Sequence, residues 1–239
     1  KPGKIAPGDD EVEAGETLVD GLLALMRQST QDVLIISPYF VPGAQMMKLF
    51  GELRSRGVRV RVLTNSLASN DAPAAHAGYA RYRKDLLAIG MELHEMRSEP
   101  ATAGGLAGSG ASSRGASGFG SGVGGSKSGA SRASLHSKAV ILDRRLSVIG
   151  SMNLDLRSQL KNSEVALLIR GRAMADAATR LIEDTIARGA YRLEIDKGKL
   201  VWHAPPGVAF QDETSEPGAG TRLKLLVDLL GPLAPEEML

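Results

Sequence analysis

Apolar positions along the chain follow two alternating rhythms. Between Glu16 and Gln28, Leu18, Leu22, Leu25 and Met26 recur at helical spacing. Asp32 to Pro38 (DVLIISP) is a short apolar run, the pattern of a buried strand. Met46, Met47, Phe50 and Leu53 predict a second helix, closed near Gly57. Val58 to Asn65 alternates Val and Arg before VLTN and reads as a strand. Tyr79, Tyr82, Leu86 and Ile89 mark a third helix, with Arg81, Arg83 and Lys84 expected mostly outward. Met91 to Met96 predicts another strand. Strands alternating with helices at this spacing predict an α/β layered domain with a largely parallel first part.

The rhythm breaks from Ala101 to Ser134, where Gly and Ser supply more than half of the residues and no acid occurs. Such a segment cannot bury enough apolar surface to offset its backbone entropy. It reads as a flexible insertion, or as a cationic lid carrying Arg114, Lys127 and Arg132. Beyond it, Leu135 to Asp143 and Leu146 to Ser151 predict two strands joined by a tight polar turn, and Ser163 to Arg170 a third. Met174 to Arg188 predicts a helix. Tyr191 to Ile195 and Leu200 to Trp202 predict an edge hairpin across Lys197-Gly198. The expected organisation is a linker at 1–14, a domain at 15–210 interrupted by the 101–134 insertion, and a tail at 211–239. That tail carries an amphipathic helix, for which core packing and docking on a membrane surface both stand open.

Composition narrows the function. The net charge of +2 is too small to argue for nucleic acid. The absence of Cys excludes disulfides, zinc-thiolate sites and thiol nucleophiles. No apolar run approaches the roughly 20 residues of a membrane span. The chain opens at Lys1 and is read as a fragment or processed product.

The candidate chemistry lies in LHSKAVILDRRLSVIGSMNLDLRS, Leu135 to Ser158. Side chains two apart on a strand share a face, so His136 and Lys138 are expected to point the same way. Ser151 and Asn153 repeat that spacing after the next strand. Pairing of the two strands would bring all four to one edge of the sheet. A titratable imidazole, a fixed cation and two neutral hydrogen-bonding groups suit a phosphate ester. No metal is expected, because no His/Asp/Glu cluster stands at ligand spacing. Taken singly, Asp143 before Arg144-Arg145 reads as a turn former, and Ser151 and Asn153 could cap the next element.

Taken together, His-x-Lys, four residues, Asp, six residues, Gly-Ser-x-Asn resembles the HKD signature of the phospholipase D superfamily. His136, Lys138, Asp143, Gly150, Ser151 and Asn153 match it. Glu164, in LKNSEVALLI, sits where that family has an acid behind its histidine. ISPYFVPG (Ile36 to Gly43), RVLTNSLASNDAPAAHAGYARYRKDLL (Arg61 to Leu87) and KLVWHAP are similar to the cardiolipin synthases of bacteria, most closely their subtype-C branch. The resemblance implies a phospholipase D-like αβα sandwich with a mixed central sheet, here one HKD half-domain. It implies phosphatidyl transfer through a phosphohistidine, no cofactor, phospholipid substrates, and peripheral association with a bacterial inner membrane. The family has two motifs per site and this chain one, since His76, His94 and His203 lack the pattern. The second motif would come from a missing N-terminal half or a second copy of the chain. His136 would then be the general acid/base. Tyr39, Phe40, Asn65, Ser66 and His76 follow strand ends and could bind substrate or form structural loops. A homodimeric nuclease and an inactive phospholipid-binding half-domain are the alternatives. Nucleic acid is not expected, because no basic stripe with interleaved aromatics is present.

Overall fold

The computed structural model describes residues 18–98, 134–155 and 164–230. The linker expected at 1–14 and the insertion, apart from Ser134, lie outside the described residues. In chain order the elements are α1 (Leu18–Arg27), β1 (Asp32–Ile36), α2 (Gly43–Ser55), β2 (Arg59–Asn65), α3 (Pro73–Ala88) and β3 (Glu92–Met96). Then come β4 (Ala139–Leu142), β5 (Leu146–Gly150), β6 (Ala166–Arg170), α4 (Arg172–Gly189), β7 (Ala190–Asp196), β8 (Lys199–His203) and α5 (Thr221–Leu230).

The eight strands form one sheet in the order β6-β5-β4-β1-β2-β3-β7-β8. β1, β2 and β3 are parallel, joined by the crossover helices α2 and α3. The pairings outside that trio are antiparallel. Alternation along each strand sorts the core into two layers. Val33, Ile35, Val60, Val62 and Leu93 pack with residues of α1, α2 and α3. Leu34, Ile36, Leu63, Met96 and Ile141 pack with Ala175 and Ile182 of α4. This is the expected αβα sandwich with a mixed sheet, and the β7–β8 hairpin lies at one edge as the pattern predicted.

Register decides where chemistry can sit. Ile36 pairs with Ala139, Ala139 with Ile149, and Gly150 with Ala166. The carboxyl ends of β1 and β2 therefore share one end of the sheet with the start of β4, the end of β5 and the start of β6. Loops beyond strand carboxyl ends are where open α/β sheets bind ligands.

Two expectations are corrected and one helix is extended. β4 begins at Ala139, so His136 and Lys138 precede the regular strand rather than lying within it. α3 begins at Pro73, six residues before the first periodic aromatic; proline at the first helical turn lacks only an N–H that would be unpaired there. Arg83, expected outward, is 2% exposed. It pairs with the fully buried Glu95 at 2.9 Å and with Glu216, and its guanidinium lies 4.9 Å from the Tyr79 ring centroid and 5.4 Å from that of Trp202. Arg61 is buried in the same way, between Asp32 at 2.7 Å and Glu183 at 2.8 Å. Periodicity could not show this, because the carboxylates come from other elements.

Two buried groups set an acid limit on the fold. Burial holds His94 well below its ordinary 6.5, at about 4. Burial pushes Glu216 up, but Arg83 and His76 outweigh it and hold the carboxyl at about 2, below its ordinary 4.5. Both groups bind more protons unfolded than folded. The stability from His94 is full above pH 6.5 and is lost as pH falls through 4. That from Glu216 is full above pH 4.5 and is lost as pH falls toward 2. Urea midpoints measured across pH should therefore decline in two steps, and His94→Gln should remove the upper one. A midpoint flat between pH 7 and 4 would contradict this.

Candidate active site

The candidate site is assembled by four close approaches at one sheet end. First, the lead-in to β4 is fixed by Asn65. Its Oδ1 accepts the Leu135 N–H at 2.9 Å, and its Nδ2 donates to the Leu135 carbonyl at 3.1 Å. An amide side chain thus replaces a neighbouring strand just before His136. Second, the Gly150 N–H donates to the Lys138 carbonyl at 3.1 Å, extending the β4–β5 ladder to Lys138. Third, the exit from β5 is stitched to the loop after β1. Leu154 donates to Ser37 Oγ at 3.0 Å and accepts the Val41 N–H at 2.8 Å. Fourth, β6 closes against Ser151, whose N–H donates to the Val165 carbonyl at 3.0 Å.

That last approach explains the glycine of the Gly-Ser-x-Asn run. A Cβ built on Gly150 would stand 2.3 Å from the Val165 carbonyl oxygen and 2.9 Å from the Ala166 Cα. Both are backbone atoms, so β6 itself would have to move. We expect Gly150→Ala to cost about 1–3 kcal/mol, the usual scale of overpacking. Turnover should fall further, because the shift displaces Glu164. Urea denaturation checks the first part and steady-state rates the second.

Within this frame Ser151 Oγ donates to Glu164 and accepts the Val165 N–H at 3.1 Å. Lys138 is half-buried and its Nζ donates to the His136 carbonyl at 3.0 Å. Burial lowers the Lys138 pKa, and the charges of Glu164, Asp155 and Asp71 partly offset that. His136 itself is exposed. Asn153 lies on the same β5 exit; its Oδ1 is buried and, among the described residues, has no hydrogen-bond partner. The Tyr39 hydroxyl donates to Asp71 at 2.6 Å. Burial first, then Asp71 and Asp155, raise its pKa and keep it protonated. Lys138, Ser151, Glu164, Asp71, Asp155 and Tyr39 are thus linked by hydrogen bonds or through their charges.

Other expected site residues stand elsewhere. Asp143 lies at the far end of β4, five residues from Lys138 at about 3.3 Å each, roughly 16 Å away. Its carboxylate accepts the backbone N–H groups of Thr30, Gln31 and Asp32 at 2.8–3.1 Å, which outweigh its burial and lower its pKa. It clamps the start of β1 to the β4–β5 turn, at the end of the sheet opposite Lys138. Phe40 is core, 6.1 Å from both the Phe50 and Tyr79 ring centroids. Asn65 and Ser66 are buried, Ser66 against Ser69. His76 is buried too, its Nε2 accepting from Arg83 at 2.7 Å. Of the five expected substrate contacts, only Tyr39 reaches the cluster. Asp71 follows the end of β2, as the sequence shows; Asp155 was not expected, and its place after the end of β5 was the available signal. Concavity alone points elsewhere, to a cleft of about 340 Å³ at the opposite end, lined by Leu25, Gln28, Asp143, Arg145 and Arg170, and to one of about 410 Å³ lined by His94, Arg192, Glu194 and His203.

The fold is an α/β sandwich, and the cluster brings one imidazole, one ammonium and a hydroxyl–carboxylate pair to one end of its sheet. The chain belongs to the family described as cardiolipin synthase, PLD-like domain, whose model matches residues 22–186. It is 30% identical to cardiolipin synthase C of Escherichia coli (strain K12) over 98% of this chain and 46% of that one. Cardiolipin synthase A of Yersinia pseudotuberculosis serotype O:3 is 24% identical over 79% of this chain and 32% of its own. Phosphatidylserine synthase of Haemophilus influenzae Rd KW20 superposes with a TM-score of 0.49 and 17% identity, over 74% of this chain and 36% of that one. The chain therefore spans less than half the length of these relatives.

Proposed function

We propose that this chain forms one half of a phospholipase D-type site that transfers a phosphatidyl group from one alcohol to another. The observation that carries this reading is the convergence of Lys138, Ser151 and Glu164 beside His136 at the carboxyl end of the sheet. In the reaction a nucleophile displaces one alkoxide from phosphorus, and a second alcohol or water then displaces the nucleophile. One alcohol leaves; an incoming alcohol rebuilds the phosphodiester, whereas water leaves a phosphomonoester. His136 is the group that protonates the departing oxygen and later deprotonates the incoming one. Lys138 and Asn153 hold the non-bridging oxygens, where negative charge builds. Glu164, through Ser151, fixes the strand end that carries them. Asp143 acts as a positioning residue from the far end of β4.

The nucleophile belongs to a second motif-bearing half. The attacking imidazole nitrogen and the leaving oxygen stand on opposite sides of phosphorus, so one imidazole cannot both attack and protonate the leaving group. Edge strand β6 and its lead-in offer a surface for that half: Val165, next to Glu164, is 71% exposed and Leu167, within the strand, 63%. Unpaired apolar edges are normally covered. Acidic Asp71, Asp155 and Glu164 around Lys138 favour lipid over nucleic acid, whose many phosphates would be repelled.

The test is to incubate the assembled enzyme with phosphatidylglycerol vesicles and follow the lipid products and released glycerol. Transfer or hydrolysis supports the reading. Vesicle binding without either product would leave an inactive lipid-binding half-domain, and cleavage of DNA instead would favour a nuclease. Among the described residues no group of three or more His, Cys, Asp or Glu could hold a metal ion. Turnover should therefore be unchanged by EDTA; loss on chelation, restored by one divalent ion, would overturn the assignment of roles.

A further inference from the structure

Helix α5 presents two apolar faces. Inward, Val227 is buried against Leu67 and Ala77, with Leu223 and Ala219 packed beside it. The preceding segment is fixed as well. Gly218 sits where an added Cβ would touch Ala68 at 3.4 Å, Glu213 bridges Trp202, and Glu216 pairs with Arg83. The tail expected at 211–239 is thus seated on the domain as far as Leu230, and the orientation of α5 is set by the fold.

Outward, Leu225, Leu226 and Leu229 are 68%, 42% and 62% exposed. At about 100° per residue they fall within an arc of roughly 100°, centred about 150° from Val227. Exposed Arg222 lies in the same arc. Core packing, one of the two fates open to this helix, accounts for Val227 and Leu223 but leaves these three leucines unexplained. Their position matters. Leu67, on which α5 rests, follows the carboxyl end of β2, the end of the sheet that carries His136.

We propose that the outward face of α5 docks on a phospholipid bilayer, with Leu225, Leu226 and Leu229 at the acyl boundary and Arg222 reaching the headgroup phosphates. Leucines with a basic residue on one exposed arc are the composition of an interfacial helix. The long arginine side chain can lie along the apolar surface while its charge stays at the phosphates. A helix of ten residues gives reversible docking rather than anchoring. Among the described residues no helix is long and apolar enough to cross a membrane, so surface docking is the contact these elements offer. The inference rests on the lipid reading of the active site, since it holds the catalytic end against the substrate's own surface.

The experiment compares the full chain with Leu225→Ser/Leu229→Ser in co-sedimentation with vesicles of phosphatidylglycerol and phosphatidylcholine. The double variant should bind at least about 10-fold more weakly, with an unchanged melting temperature. In the assembled two-motif enzyme it should turn over short-chain phosphatidylglycerol, below its micelle concentration, at the wild-type rate. Arg222→Glu, a solvent-facing change, should weaken binding to the anionic vesicles and spare neutral ones. Unchanged vesicle binding by these variants would overturn the proposal. So would a double variant that loses self-association in light scattering but keeps its vesicle affinity, because the face would then be a protein contact. Leucine-dependent vesicle binding without short-chain turnover would leave docking standing and refute the catalytic reading. Short-chain turnover with leucine-independent binding would do the reverse.

Discussion

Replacing His136 by alanine should reduce phosphodiester turnover of the assembled enzyme by about 10⁴-fold, the upper end of what general acid–base catalysis contributes. The fold should be unaffected. His136 is exposed and precedes β4, and Leu135, which sets its position, is held by Asn65 through backbone groups that the substitution leaves intact. Lys138→Ala should cost less, about 10²–10³-fold, the scale of losing one preorganised donor to a developing charge. The two variants are compared by turnover and by melting temperature. An alanine at 136 that keeps its rate, or one that loses its fold, would sink the role given to the imidazole.

Replacing Arg83 by alanine should destabilise the fold by about 3–5 kcal/mol, the scale on which removing one partner of a buried ion pair acts. Glu95 is fully buried and would keep only its hydrogen bond from Trp202 Nε1, at 2.8 Å. Glu216 would lose its hold on the C-terminal segment, and His76 the donor to its Nε2. The rings of Tyr79 and Trp202 would lose the cation between them. Urea denaturation measures the change. Because the penalty comes from stranded carboxylates, Glu95→Gln in the Arg83→Ala background should recover part of it. A loss below about 1 kcal/mol, or no recovery in the double variant, would mean the cluster is open to water.

The layered fold was legible because its signals are local. Buried strands read as apolar runs, α2 and α4 as helical periods, and the β7–β8 turn as Lys197-Gly198. His136, Lys138, Ser151 and Glu164 were legible because two short hairpins bring nearby segments together. What stayed hidden depends on partners far apart in the chain. Arg83 looked like an outward helix residue until Glu95 and Glu216, from a strand and from the tail, enclosed it. Asn65 and His76 carry chemistry-bearing groups near a strand end, yet one splints Leu135 and the other completes a buried cluster. Asp143 belongs to the motif by spacing, but a four-residue strand separates its carboxylate from Lys138. Spacing along a chain records adjacency in sequence, and an intervening strand turns that adjacency into distance.

On the proposed mechanism this chain holds half of a site, with His136 as one of two required imidazoles. The most direct measurement is phospholipid transphosphatidylation by the chain alone across a wide dilution range, beside a mixture with a partner chain carrying a second His-x-Lys-x₄-Asp motif. The monomer should show little or no rate, and a rate should appear in the mixture or at concentrations where light scattering shows dimers. A robust rate per chain, constant down to dilutions where only monomer is present, would contradict that mechanism.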